Sequence, residues 1–223
     1  RYRTFDLPGE ARRHLDAGLA LDPVNGELQW AGVQLELWVG DTAAARAMLA
    51  RTLALRSTPE QMRLTAWFEM LRGDQRAARP WVEGIVATGT ASYDRFLYGA
   101  VLRLTGDTVR GDSLLRLELA RYVDEERRLG TPTRGGTLNQ AHIHAMMGHR
   151  ESAMRLLARY DSIGGAATWR DVDWTTGFSL GWQPVRDDPR FTAIVRRSQA
   201  RAAEARRRIA AALAAMRASG ELK

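Results

Sequence analysis

The stretch WVGDTAAARAMLARTLAL, residues 38–55, joins a Gly-Asp pair to an alanine-rich run. The pair returns at Gly73-Asp74 and Gly106-Asp107, so Gly40 and its two successors are separated by two equal steps of 33 residues. A glycine ends a helix well because it adopts the left-handed conformation without a Cβ clash. An aspartate beside it is a preferred N-cap. Each unit is therefore predicted to be a helix, a Gly-Asp turn and a second, antiparallel helix.

Two further positions recur at fixed distances after the turn glycines, and they extend the pattern to a fourth turn at Gly148. A small residue follows each glycine by five positions and an aliphatic residue by nine: Ala45, Ala78, Gly111 and Ala153, then Leu49, Val82, Leu115 and Leu157. Both positions lie on one helical face, where small side chains let two helix axes approach closely. The fourth turn comes 42 residues after the third, and YVDEERRLGTPTRGG (122–136) predicts a longer connection there.

Residues 19–55, LALDPVNGELQWAGVQLELWVGDTAAARAMLARTLAL, resemble the tetratricopeptide repeat family in their small-residue positions and in the LDP that closes a unit. Where the family favours Leu-Gly in the first helix, this chain has Gly32-Val33. The resemblance covers about residues 5–160 and implies an all-α fold, an α-solenoid of antiparallel helix pairs wound into a right-handed superhelix. Its expected parts are a partial unit at 1–25, units at about 26–58, 59–91, 92–133 and 134–160, a capping segment at 161–188 and a long helix at 189–219.

The segment 161–188 combines four glycines with Trp169, Trp174 and Trp182. A repeat array must cover its last apolar face, and tryptophan side chains are large covers. We therefore predict a capping segment, with an aromatic ligand cage as the alternative.

The sequence DDPRF begins the long helix, with Asp188 as N-cap and Pro189 at the first helical position. Apolar residues at steps of three and four predict that the helix lies along the preceding repeats as a cap, or along a second copy of itself. The opposite faces carry Arg196, Arg197, Arg201, Arg206, Arg207 and Arg208.

The net charge of +7 falls entirely in residues 189–223, because acidic and basic residues are equal in number over 1–188. The arginine face has three interpretations: a solvated face, a site for an acidic partner or anionic membrane surface, and a nucleic-acid contact. We do not expect nucleic-acid binding, because no aromatic residues are interleaved with the arginines and the body is neutral.

The ending WQPVRDDPRFTAIVRR (182–197) is similar to endings of bacterial repeat regions that follow kinase, DNA-binding or cyclase domains in signalling proteins. The chain begins at Arg1, so we expect a piece of a longer bacterial protein. No run approaches the roughly 20 apolar residues of a membrane span. A cytoplasmic location is expected, with the extracytoplasmic part of an anchored protein as the alternative.

Catalytic and metal chemistry are not expected. The chain has no cysteine. Positions two apart on a helix diverge by about 200°, which separates His142 from His144, and His149 lies too far along to pair with His142. The acids at Asp171 and 124–126 have no partner across a predicted cleft, and no phosphate-binding or hydrolase motif is present. We therefore predict a non-enzyme without a cofactor or metal ion.

The family resemblance implies that the first helix of each pair lines a concave groove, which would bind a peptide or partner protein. The matching positions are Trp30, Gln34, Trp38, Arg63, Trp67, Met70, Phe96, Arg103, Leu138 and His142. Aromatic residues and arginine are enriched at binding hot spots. Alternatively, Trp30 and Trp67 only fill the space between neighbouring pairs. A second hypothesis is a small-molecule-sensing regulatory domain, with its ligand near the tryptophan-rich segment.

Overall fold

A computed structural model describes residues 8–55, 58–87, 95–163 and 178–220. Within these ranges the chain forms ten α-helices and one 3₁₀ helix, without a β-strand, which confirms the all-α class. The helices are α1 (Pro8–Leu21), α2 (Gly26–Val39), α3 (Thr42–Leu55), α4 (Pro59–Leu71), α5 (Gln75–Ala87), α6 (Arg95–Leu104), α7 (Thr108–Leu129), α8 (Arg134–Met146), α9 (Arg150–Ile163) and α10 (Pro189–Ala218), with the 3₁₀ helix at Phe178–Val185.

The helices pack in neighbouring pairs. The most extensive contacts join α2 to α3, α4 to α5, α6 to α7 and α8 to α9. Successive pairs touch through α3 and α4, α5 and α6, and α7 and α8, while α1 packs on α2 at the N-terminal end. At the C-terminal end the 3₁₀ helix packs on α8 and α9, and α10 packs on α9.

The turn glycines have the predicted conformation. The φ angles of Gly40, Gly73, Gly106 and Gly148 lie between 79° and 97°, in the left-handed region. In every turn the N–H that follows the glycine donates to the carbonyl five residues earlier, at 2.8–2.9 Å. The first helix of each pair therefore ends in a Schellman motif, which satisfies carbonyls that the helix itself leaves unpaired.

The aspartates of the first three turns cap the second helices, as predicted. The carboxylates of Asp41, Asp74 and Asp107 accept the N–H three residues later at 2.8, 3.0 and 3.3 Å. His149 takes this position in the fourth turn.

The small residues of the second helices lie where the helices cross. Ala45, Ala78 and Ala153 are fully buried. At Gly111 a Cβ atom would lie 2.8 Å from both the Gly99 carbonyl oxygen and the Arg103 amide nitrogen. The α6 and α7 backbones therefore touch at this glycine, as the recurring small residue predicts.

The prediction of a longer connection within residues 122–136 is wrong. Residues up to Leu129 continue α7, which is 22 residues long and ends at Gly130 with φ of 66°. The acidic and basic residues of this stretch favour a solvated helix through local ion pairs, such as Arg127 to Asp124 at 2.6 Å. Only residues 130–133 connect α7 to α8, whose first turn Thr133 caps.

Candidate functional site

The predicted groove residues lie on the first helices of the pairs, α2, α4, α6 and α8. Met70 and Leu138 are only 8% and 5% exposed, so their side chains belong to the core. The side chain of Trp38 lies outside the described part of the structure. The others are partly buried: Trp30, Gln34, Arg63, Trp67, Phe96, Arg103 and His142.

Five aromatic rings form a continuous row across successive elements, which we call the aromatic row. It runs from Trp67 on α4 through Phe96 on α6, His142 on α8 and Trp182 on the 3₁₀ helix to Phe191 on α10. Successive ring centroids are 6.4, 5.1, 4.6 and 5.7 Å apart. Three members of this row, Trp67, Phe96 and His142, are predicted groove residues, but the row itself is not evident from the sequence.

The aromatic row favours the interpretation that groove aromatics fill the space between neighbouring pairs. Each ring contacts the next unit, and Trp67 and Phe96 also pack against the central core cluster. Trp30 packs in the same way against the cluster that contains Val33 and Phe68. Because Trp30, Trp67 and Phe96 are only partly buried, their remaining surface is still accessible to a partner.

The imidazole of His142 is enclosed within the aromatic row. Its Nε2 is buried and has no hydrogen-bond partner among the described residues. A Cβ atom at Gly181 would overlap this nitrogen, so the 3₁₀ helix lies directly on the ring. Burial lowers the pKa of His142 to about 4 from the ordinary value of 6.5. The ring is therefore neutral at pH 7, consistent with a packed, stacked imidazole.

The free energy of unfolding is expected to fall by about 3 kcal/mol between pH 6.5 and pH 4 through His142 alone. The unfolded imidazole binds a proton near pH 6.5, whereas the folded one does so only near pH 4. The stability that neutral His142 contributes is thus complete above pH 6.5 and is lost as the pH falls. Urea unfolding across this range should give a steeper pH dependence for the wild type than for His142→Phe. Equal pH dependence in both proteins would contradict the enclosed imidazole.

The guanidinium of Arg103 makes its contacts within the fold. Its Nε donates to the Met146 carbonyl oxygen at 2.6 Å, and its guanidinium also pairs with Asp112. These bonds tie α6 to α7 and α8. Arg103 therefore positions three helices.

The first turn of α10 is anchored by an ionic network. The Asp188 carboxylate accepts the Arg190 backbone N–H at 2.9 Å and pairs with the Arg190 guanidinium at 2.8 Å. These hydrogen bonds from Arg190 hold the pKa of Asp188 well below its ordinary value. Arg190 also bonds Glu151 of α9 at 2.8 Å. The predicted N-cap is confirmed, and the network fixes α10 against α9.

The rest of α10 lies along the other helices of the chain. Phe191, Ile194, Ser198 and Ala202 are buried on one face. Near the other end of the helix, Arg217 pairs with Glu10 of α1. This helix therefore touches both the last and the first helix of the array, which favours packing along the preceding repeats.

Two arginines of the basic helix bind a single acid on α9. Arg197 and Arg201 donate to Asp161 at 2.7 and 2.8 Å. Burial acts to raise the pKa of Asp161, but the hydrogen bonds from both arginines outweigh it and lower that pKa. These arginines therefore help to dock α10.

The remaining predicted arginines lie further from the core. Arg207 and Arg208 pair with Glu204 on the same helix. Arg196 is exposed, and the side chain of Arg206 lies outside the described residues. Local pairing of this kind favours the solvated-face interpretation over a dedicated nucleic-acid surface.

Trp182 is the described tryptophan of the predicted capping segment, and it is 2% exposed. One neighbour is the stacked ring of His142 and another is Phe191. A ring packed in this way covers the end of the helix pairs, which favours capping over a ligand cage. Trp169 and Trp174 lie outside the described residues.

An open cleft of about 470 Å³ lies between α9 and α10. Its lining combines apolar Met154 and Ile194 with charged Glu151, Arg155 and Arg190. The volume is within the range of small-molecule sites.

No helix in the described ranges is long and apolar enough to cross a membrane. The described residues also contain no group of three or more histidine or acidic side chains that could hold a metal ion. Comparison with protein-family models, with curated proteins and with solved structures finds no match to this chain.

Proposed function

We propose that the chain is a tetratricopeptide-type α-solenoid that serves as a non-catalytic interaction module of a larger bacterial signalling protein. The observation that carries this proposal is the repeated hairpin, with the same glycine turn and the same pairwise packing in four successive units. Hairpins stacked in order form a curved wall whose inner side is suited to a peptide or partner helix. The absence of catalytic motifs from the sequence agrees with this role.

The binding surface we propose is centred on α2 and α4. The C-terminal end of the aromatic row is covered, because Gly181 and Trp182 lie on His142. Toward the N-terminal end, Trp30, Gln34, Arg63 and Trp67 keep part of their surface exposed. Aromatic and arginine side chains of this kind are typical anchors for a bound peptide.

Partner capture is expected to fall by about tenfold or more in Trp67→Ala and in Arg63→Ala, as is typical of hot-spot residues. The measurement is affinity capture from a bacterial lysate with the chain as bait, quantified by mass spectrometry. Matched controls on a second helix are Trp81→Ala and Arg76→Ala, both on α5. Circular dichroism should give the same helical signal for all four variants. Unchanged capture by both first-helix variants argues against this surface.

The second candidate function is small-molecule sensing, and the cleft between α9 and α10 favours it. This cleft is a second location for a ligand beside the tryptophan-rich segment, whose described Trp182 packs between His142 and Phe191. A metabolite that raises the melting temperature, with the effect lost in Ala158→Trp at an exposed position of the cleft wall, supports sensing over protein binding.

A further inference from the structure

The turn between α8 and α9 brings two histidines together. His144 lies in the last turn of α8, and His149 directly follows the turn glycine. The His149 N–H donates to the His144 carbonyl oxygen at 2.8 Å, so the turn itself holds the two residues side by side. Their Nδ1 atoms are 3.2 Å apart and their ring centroids 5.4 Å apart. Helical spacing separates His142 from His144 and from His149, whereas the structure pairs His144 with His149.

His149 also departs from the pattern of the other three turns. Its counterparts Asp41, Asp74 and Asp107 each cap the following helix with a carboxylate. Losing such a cap typically costs about 1 kcal/mol of helix stability. The imidazole of His149 instead shares a hydrogen bond with the imidazole of His144 through the two Nδ1 atoms, and a metal ion bound between them would replace this hydrogen bond.

The spacing of the two nitrogens suits a metal ion. An ion bound to both Nδ1 atoms at the usual distance of about 2.1 Å would subtend an N–metal–N angle of about 100° at their separation of 3.2 Å. That angle lies between the octahedral and tetrahedral values. Imidazole nitrogen is a preferred ligand of zinc, nickel and copper ions.

We propose that His144 and His149 bind one first-row divalent metal ion, with water completing the coordination shell. The ion would link the end of α8 to the start of α9, where the other turns have an aspartate cap. The affinity for the ion should be modest, for two reasons. The described residues supply only two ligands, and the positive charge of the nearby Arg155 repels a cation.

Zn²⁺ and Ni²⁺ are each expected to bind the metal-free chain with one ion per molecule in calorimetry and to raise its melting temperature. Mg²⁺, which prefers oxygen ligands, should do neither. Binding should weaken at least tenfold in His144→Ala and in His149→Ala, and should be unchanged in His14→Ala, a histidine of α1. Because Arg155 opposes the ion, Arg155→Gln should bind more tightly.

The variant His149→Ser provides a second test if an alanine variant folds poorly. Serine caps a helix as well as aspartate does but is a poor zinc ligand, so the variant should have a higher melting temperature without metal and no response to Zn²⁺. A wild-type chain that does not bind Zn²⁺ or Ni²⁺, or binding that persists in His149→Ser, would overturn the proposal.

Discussion

Trp182→Ala is expected to lower the free energy of unfolding by about 3–5 kcal/mol, the usual cost of truncating a buried tryptophan. The side chain is 2% exposed and lies between His142 and Phe191 in the aromatic row. Its removal would leave a cavity where the 3₁₀ helix and α10 cover the last helix pair. Urea unfolding followed by circular dichroism measures the loss, and Trp182→Phe should retain part of the stability.

The same substitution should also change the titration of His142. Once Trp182 is gone, water can reach the imidazole, and the pKa of His142 should rise from about 4 toward its ordinary value of 6.5. Histidine proton shifts measured by NMR against pH report this directly. A stability loss below about 1 kcal/mol, or a pKa of His142 that stays near 4, would contradict the capping role of the 3₁₀ helix.

Gly111→Val is expected to destabilise the chain by about 3 kcal/mol or more, at or above the upper end of typical overpacking costs. A Cβ atom at this position meets backbone atoms of Gly99 and Arg103 at 2.8 Å, and backbone cannot move aside as a side chain can. The α6 and α7 helices would have to separate, which also loosens the neighbouring contacts of Leu115.

The matched control is a helical glycine whose surroundings can adapt. A Cβ atom at Gly84 of α5 meets only the flexible Met62 thioether, whose sulfur is 3.2 Å away. Gly84→Ala should therefore be neutral or gain up to about 1 kcal/mol from helix propensity, whereas Gly111→Ala should lose stability. If chemical denaturation shows that both alanine variants change the free energy of unfolding equally, the α6 and α7 backbones are not in close contact at Gly111.

The helical hairpins could be predicted from the sequence because their signals are local. Gly40 and Asp41 each act within one turn of the chain, through a left-handed φ and a carboxylate cap. A small residue recurs at the Gly111 position of every unit, and it indicates where the two helices of the pair cross. The extension of α7 was missed because Gly130 and Pro132 indicated a loop, although the preceding charged residues continue the helix.

The aromatic row and the histidine pair could not be predicted with the same ease, since both depend on contacts between units. The sequence contains one signal of the aromatic row, because Trp67 and His142 occupy equivalent positions, each six residues before its turn glycine. Their burial, however, depends on Trp182, which reaches His142 from a segment without periodicity. The pairing of His144 with His149 depends on the turn folding back, so helical spacing alone could not indicate it.

The ordered stacking of hairpins is the claim on which the proposed function rests, and spin-label distances test it most directly. The chain has no cysteine, so labels can be placed at Ala43→Cys, Arg76→Cys and Val109→Cys. These exposed positions are equivalent, each three residues after a turn glycine. A solenoid predicts equal 43–76 and 76–109 distances and a 43–109 distance close to their sum. A 43–109 distance no longer than the other two would indicate a compact bundle and contradict the account.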